Sequence, residues 1–293
     1  VSTPRFLTLP PGVRRTEIET SRGTFAALEA LPGSGVPERC PALLVPGFTG
    51  SKEDFIAVLQ SLARPGRRVV AIDMRGQYES TGPEDEAAYT LPALGADVRA
   101  LLDVLGPEPA HLVGHSFGGL VTREAILGAG ARPLSYTLMS SGPSAITGPR
   151  RRDAESLITM LPQLGVHRIW AEHLEPDARA GRLPEEIIGF LRRRMLGNSV
   201  TGLLTMAREI LDAPDRVEEL AKVSDEAGLP VLVLYGENDN AWEPRVQAEM
   251  AERLGAARVV IPGAAHSPAV EAPETTASAL ADFWRAAECG TAR

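Results

Sequence analysis

The chain has 293 residues, 44% hydrophobic and 23% charged, which suits one globular domain, with or without an insertion, around a sizeable core. Its net charge of −8 argues against a nucleic acid or an anionic membrane surface as partner, and no apolar run reaches the ~18 residues that cross a bilayer. Cys40 and Cys289 lack paired or metal-like spacing, and residues 1–11 lack a basic-then-apolar signal pattern, so two free thiols in a reducing, cytoplasmic compartment are expected, one bridge between them being the alternative.

Residues 15–31 alternate polar and apolar and break at Ser21-Arg22-Gly23, the pattern of an antiparallel hairpin at a sheet edge. Short continuous apolar runs follow at 42–45, 69–72, 110–113, 136–139, 231–235 and 259–261, as strands covered on both faces require. Helical spacing occupies 54–62, 91–105, 120–127, 245–254 and 275–287. In the clearest, Leu91, Leu94, Val98, Leu101, Leu102 and Leu105 share one stripe, and Gly106-Pro107 ends it. Alternating strand and helix implies right-handed crossovers and a doubly wound, mostly parallel α/β sheet.

The alternation fails between about 144 and 228. Only helical segments are legible there, at 151–161, 167–173, 184–195 and 200–211. Helices inserted between two sheet strands are expected above the strand ends, as an all-helical cap. The expected division is therefore a core of 1–143 and 229–293 and a cap of 144–228. The apolar cap residues Leu157, Met160, Trp170, Ile188, Phe190, Met195, Leu203 and Met206 outnumber one packing face. Each taken singly suits packing onto the core, but together some must line a pocket, and Met160 and Trp170 are candidates. The arginines at 150–152 and 192–194 read as solvated helix faces, though such runs also attract anions.

Ligands of open parallel sheets bind outside the carboxyl ends of the strands, so the residues that follow each strand are the candidates for chemistry. After 110–113 comes Gly114-His115-Ser116-Phe117-Gly118. A strand that turns abruptly into a helix strains the corner residue and needs neighbours without bulk, which Gly114 and Gly118 supply. Ser116 is thereby presented as a nucleophile beside the N–H of Phe117; a plain strand-to-helix turn is the competing reading. His115 should aim away from the hydroxyl and shape the site. After 42–45, Pro46-Gly47-Phe48-Thr49-Gly50 offers the N–H of Phe48, which with that of Phe117 would make an oxyanion hole; alone, it is also a tight glycine turn.

After 231–235, Asp239 is the expected carboxylate partner of a histidine, with Glu237 in reserve. After 259–261, His266 lies in a loop of small residues and is the expected general base. His111 sits inside a strand and suits the core, while His167 and His173 fall in the cap and suit solvation or packing. Trp242, just past Asp239, suits the pocket wall or packing equally. No histidine and carboxylate spacing implies a metal, and no phosphate-cradling or dinucleotide loop occurs, so no cofactor is expected. The oligomeric state is not readable.

With these motifs in order, the chain resembles the α/β-hydrolase fold family, in the branch with a serine nucleophile and a helical cap. The order Ser116, Asp239, His266 is that family's order, and Asp73-Met74-Arg75-Gly76-Gln77-Tyr78-Glu79-Ser80 is similar to its Asp-x-Arg-Gly-x-Gly-x-Ser loop. Two positions depart from the pattern. Pro46-Gly47 stands where His-Gly is frequent, and Tyr78 replaces a small residue, its phenol placed at the surface in preference to the other reading, a position near the cap. Ser116 in place of an aspartate argues against the haloalkane dehalogenase and epoxide hydrolase branches. The resemblance implies a serine esterase acting on a small, apolar acyl compound. Other cofactor-free reactions on this scaffold (carbon–carbon bond, thioester or lactone hydrolysis, perhydrolysis) and a non-catalytic small-molecule receptor remain alternatives.

Overall fold

The computed structural model describes residues 2–128 and 130–290. Eight strands form one sheet: β1 (Val13–Thr20), β2 (Gly23–Ala30), β3 (Arg39–Val45), β4 (Arg67–Ile72), β5 (His111–His115), β6 (Ser135–Met139), β7 (Val231–Gly236) and β8 (Ala257–Ile261). Their spatial order is β1-β2-β4-β3-β5-β6-β7-β8. The hairpin closes at Thr20 opposite Gly23 and occupies one edge, antiparallel to β4, while the strands from β4 to β8 pair in parallel.

The core helices are α1 (Ile56–Ala63), α2 (Leu91–Val104) and α3 (Phe117–Leu127), followed by the insertion and then the closing helices. The insertion contributes α4 (Gly148–Ile169), α5 (Glu175–Ala180), α6 (Glu185–Leu196), α7 (Val200–Asp212) and α8 (Val217–Ala227). The chain ends with α9 (Pro244–Leu254), the single turn α10 (Pro268–Glu271) and α11 (Pro273–Glu288).

Period-two alternation sends neighbouring residues of β3 to opposite faces. Leu43 and Val45 join the apolar layer under α2 and α3, while Ala42 and Leu44 join the layer under α1 and α11. Both faces are therefore covered, which is why the strands read as unbroken apolar runs. Helix α2 buries Leu91, Leu94, Val98 and Leu101 of the stripe, and the Thr90 hydroxyl caps it by accepting from the Ala93 N–H.

Leu161, Ile169, Trp170, Ala178, Ile188, Met195 and Leu203 of α4 to α7 and their connections form a separate apolar cluster above the strand ends, against which Phe48 also packs. The last helix of the 144–228 interval differs from the expected cap. In α8, Val217 and Leu220 are buried in the same cluster as Val231 of β7 and Met250, Ala251 and Leu254 of α9, so α8 belongs to the layer flanking the sheet. Its amphipathic pattern requires an apolar surface to cover, and the sheet layer supplies one. No described helix is long and apolar enough to cross a membrane.

Candidate active site

Strand β5 ends at His115 and α3 begins at Phe117, leaving Ser116 alone at the corner with φ 55° and ψ −123°. That backbone is costly for a residue with a side chain and persists only where its surroundings fix it. Here the Ser116 N–H donates to the Met139 carbonyl of β6 (2.9 Å), and the Ser116 carbonyl accepts from the Gly119 N–H (2.9 Å). The flanking glycines are required by crowding. A Cβ on Gly114 would lie 2.2 Å from Thr122 Oγ1, and one on Gly118 would lie 2.3 Å from the Pro46 carbonyl oxygen.

The three distant polar groups meet at this corner. His266 Nε2 lies 2.9 Å from Ser116 Oγ, and His266 Nδ1 lies 3.0 Å from Asp239 Oδ1. Asp239 is buried. Burial alone would raise its carboxyl, but bonds from His266, the Ala241 N–H and Gln247 outweigh it and hold the group below the usual carboxylate range. Glu237 stays exposed and instead accepts the Gly263 N–H. The loops after β7 and β8 are laced together, with the Asn238 N–H donating to the Ala264 carbonyl (2.8 Å) and the Glu237 N–H to the Ile261 carbonyl (3.0 Å). That lacing sets the Asp239 to His266 distance.

The backbone of the His266 loop is fixed from two further sides. Glu271 accepts the N–H groups of Ala265 and Ser267, which flank the histidine. His115 Nε2 donates to the His266 carbonyl at 2.8 Å. Burial, followed by the nearby His266, pushes His115 down to about 4, so it is a neutral donor there. Its side chain is not the base.

The Phe48 loop lies across the nucleophile corner, with the Phe48 and Phe117 rings meeting edge to face at 6.3 Å. Gln77, from the loop after β4, grips it from outside. Gln77 Nε2 donates to the Gly47 carbonyl (3.2 Å), and Gln77 Oε1 accepts the Thr49 N–H (2.6 Å). The same loop is anchored by Asp73, which accepts from the Lys52 N–H (2.8 Å) and Lys52 Nζ (2.7 Å). Gln77, Gln247 and Glu271 are the residues that the sequence reading missed. Gln77 reaches a partner 30 residues away in another loop, whereas Gln247 of α9 and Glu271 of α10 reach back by 8 and 4 residues to the loop before their own helix; residue type alone marks none of the three.

A cavity of about 570 Å³ opens between the nucleophile and the cap. Ser116, His115, His266 and Phe48 line one side, and Leu157, Met160 and Trp170 line the other. Trp242 does not line it. Its indole N–H is tied to the Ser144 carbonyl (3.1 Å) and its ring lies on Gly142, where a Cβ would come within 2.0 Å; it packs behind the triad. Tyr78 also differs from expectation. Its ring is half-buried, meeting Phe190 of α6 edge to face at 5.7 Å with Lys52 Nζ 4.7 Å above it, so the phenol braces the cap. The apolar face of α6 needs cover, and Tyr78 provides it. Among the described residues, no three His, Cys, Asp or Glu side chains are grouped to hold a metal ion.

A parallel sheet with a serine corner, a histidine after the last strand and helices over the cavity is an α/β-hydrolase architecture. Residues 42–279 match the model of the alpha/beta hydrolase family, and the chain belongs to that family. It is 26% identical over 257 residues, 81% of its length and 87% of the relative's, to a Bacillus subtilis (strain 168) protein provisionally named 2-succinyl-6-hydroxy-2,4-cyclohexadiene-1-carboxylate synthase. Among solved structures, a hydrolase from Pseudomonas aeruginosa PA01 is similar at TM-score 0.72 and 26% identity, over 92% of this chain and 98% of that one. A thermophilic esterase from Thermogutta terrifontis, solved with malate bound, shares the fold at TM-score 0.72 and 24% identity, over 94% and 99%.

Proposed function

We propose that this protein is a serine hydrolase that cleaves a small ester-type acyl substrate through an acyl-enzyme. The observation that carries the reading is the unbroken hydrogen-bond chain Ser116 Oγ, His266, Asp239 at the wall of a largely apolar cavity. His266 Nε2 takes the Ser116 proton as Oγ attacks the carbonyl carbon, and Asp239 holds the ring and stabilises the imidazolium that forms. The N–H groups of Phe48 and Phe117 receive the oxyanion. Collapse expels the alcohol, which takes the proton from His266; water, deprotonated by the same imidazole, then releases the acid and restores Ser116.

Each part carries a size. Loss of one oxyanion donor typically costs ~10² to 10³ in turnover, and loss of the nucleophile costs more because the triad acts as a unit. Steady-state hydrolysis of a panel of short 4-nitrophenyl esters by wild type and Ser116→Ala tests this. Wild type is expected to turn over at least one ester, with kcat reduced at least ~10³-fold in Ser116→Ala. Equal rates in the two proteins would falsify the reading. Labelling of Ser116 by an alkyl phosphonate, read by mass spectrometry, separates an activated hydroxyl from the idle one that a receptor would carry.

A further inference from the structure

We infer that the substrate carries a carboxylate and that the Arg150 guanidinium receives it, an inference that deepens the hydrolase reading and rests on it. The two arginine runs of the sequence separate in the fold. Arg151 pairs with Glu155 (2.8 Å) at the surface, Arg152, Arg192 and Arg193 are exposed, and Arg194 is buried against Asp54 (2.9 Å). Arg150 belongs to none of these situations. Half-buried, it lines the same cavity as Ser116 and His266.

Its head group is tethered, and its charge is only loosely paired. Arg150 Nε donates to Asn240 Oδ1 at 3.3 Å, one residue past Asp239, so a neutral amide holds the guanidinium beside the triad. The carboxylate within ion-pair reach, Asp153, lies 4.0 Å away with its side chain 72% exposed, a separation that brings no hydrogen bond. Of the cavity's other acids, Asp54 is committed to Arg194 and Asp177 is exposed. The charge of Arg150 is also felt at the buried imidazole of His115, after burial and His266.

Beside an apolar wall, such a guanidinium attracts an anion more strongly than it would in water. Its planar fork matches the two oxygens of a carboxylate. One positive charge balances a monoanion, whereas a phosphate dianion would leave a negative charge uncompensated near Asp153. Leu157 and Met160 of the cap supply apolar surface for the carbons between the carboxylate and the attacked carbonyl. The substrate class is thus a half-ester of a short dicarboxylic acid, or an ester of equivalent charge and length.

The test compares mono-4-nitrophenyl glutarate with 4-nitrophenyl pentanoate, which match in chain length and differ in the terminal charge. In Arg150→Gln, the ratio of kcat/KM for the charged ester over the neutral one is expected to fall about tenfold or more, mainly through KM. Arg150→Lys, which keeps the charge but loses the two-pronged fork, is expected to fall between wild type and Arg150→Gln. Should Arg150→Gln melt early, Arg150→Met carries the same expectation. A ratio unchanged in the uncharged variants overturns the inference.

Calorimetric titration of monomethyl glutarate, a monoanion, reads the same contact without turnover. Binding to Ser116→Ala is expected to weaken about tenfold when Arg150→Gln is added; equal affinity in the two, or no binding to Ser116→Ala, overturns it. If wild type cleaves neither ester, the hydrolase reading is the one that fails, and the titration still decides the Arg150 contact.

Discussion

One side chain brackets the proposed oxyanion donor Phe48. Gln77 binds the carbonyl before it and the N–H after it, and Thr49 is held at φ 59°, in the left-handed region. That conformation costs a threonine roughly 1–2 kcal/mol, so without Gln77 the loop has reason to relax and carry the Phe48 N–H off its line. A donor that is displaced loses less than a donor removed. Gln77→Leu is therefore expected to lower kcat on a 4-nitrophenyl ester by about 10- to 100-fold, with KM within about threefold. Gln77→Glu keeps the acceptor for Thr49 and loses the donor to Gly47, so it should fall between. If Gln77→Leu kept kcat within twofold of wild type, the positioning role would be rejected. The sequence showed Gln77 inside the loop of residues 73–80 but not its task, because its partners lie about thirty residues away in a different loop. Ser116, Asp239 and His266 were readable for the opposite reason: each follows a strand end, and strand ends are legible as apolar runs.

At the level of elements, the cap turns on one residue. Helix α4 runs from Gly148 to Ile169 but breaks at Gly165, with φ 70° and ψ 164°, and Pro162 lies just before the break. That backbone region is open essentially to glycine alone. A Cβ at Gly165 would meet nothing within 4 Å, so any penalty for a side chain is conformational and not steric. Gly165→Ala is expected to destabilise the cap by about 1–3 kcal/mol. Hydrogen exchange should show faster exchange across 157–174 while the amides of β3 and β5 keep their protection; uniform exchange in both proteins would count against it. The sequence already separated 151–161 from 167–173, since glycine and proline punctuate a helical pattern. It did not separate α8 from the cap. Amphipathicity shows that a helix has an apolar face, but not which neighbour covers that face, and α8 turned out to cover the sheet layer.

Across the whole molecule, the two ends of the parallel sheet have different tasks. The carboxyl ends carry Ser116, Asp239 and His266, and the opposite ends are clamped by the last helix. Glu288 at the end of α11 accepts from Arg67 (2.6 Å) and Arg39 (2.8 Å) and lies 3.3 Å from His111 Nε2. These residues open the adjacent strands β4, β3 and β5, so one carboxylate joins three strand starts. Burial alone would raise the Glu288 carboxyl, but Arg67, then Arg39 and His111, bring it down to about 2. A carboxylate lowered on folding adds stability that is complete above its unfolded value near 4.5 and disappears as pH falls through about 2. Glu288→Gln also leaves the almost fully buried Arg67 without its counter-charge. The variant is expected to be less stable than wild type by about 2 kcal/mol or more at pH 7, measured as the difference in urea midpoint. That difference should hold from pH 7 to about pH 5 and shrink steadily between pH 4.5 and 3, where Glu288 of the unfolded wild-type chain takes up its proton while the folded carboxylate is still ionised. A gap that stayed constant to pH 3 would mean that the clamp works through shape and hydrogen bonding, with its charge contributing nothing.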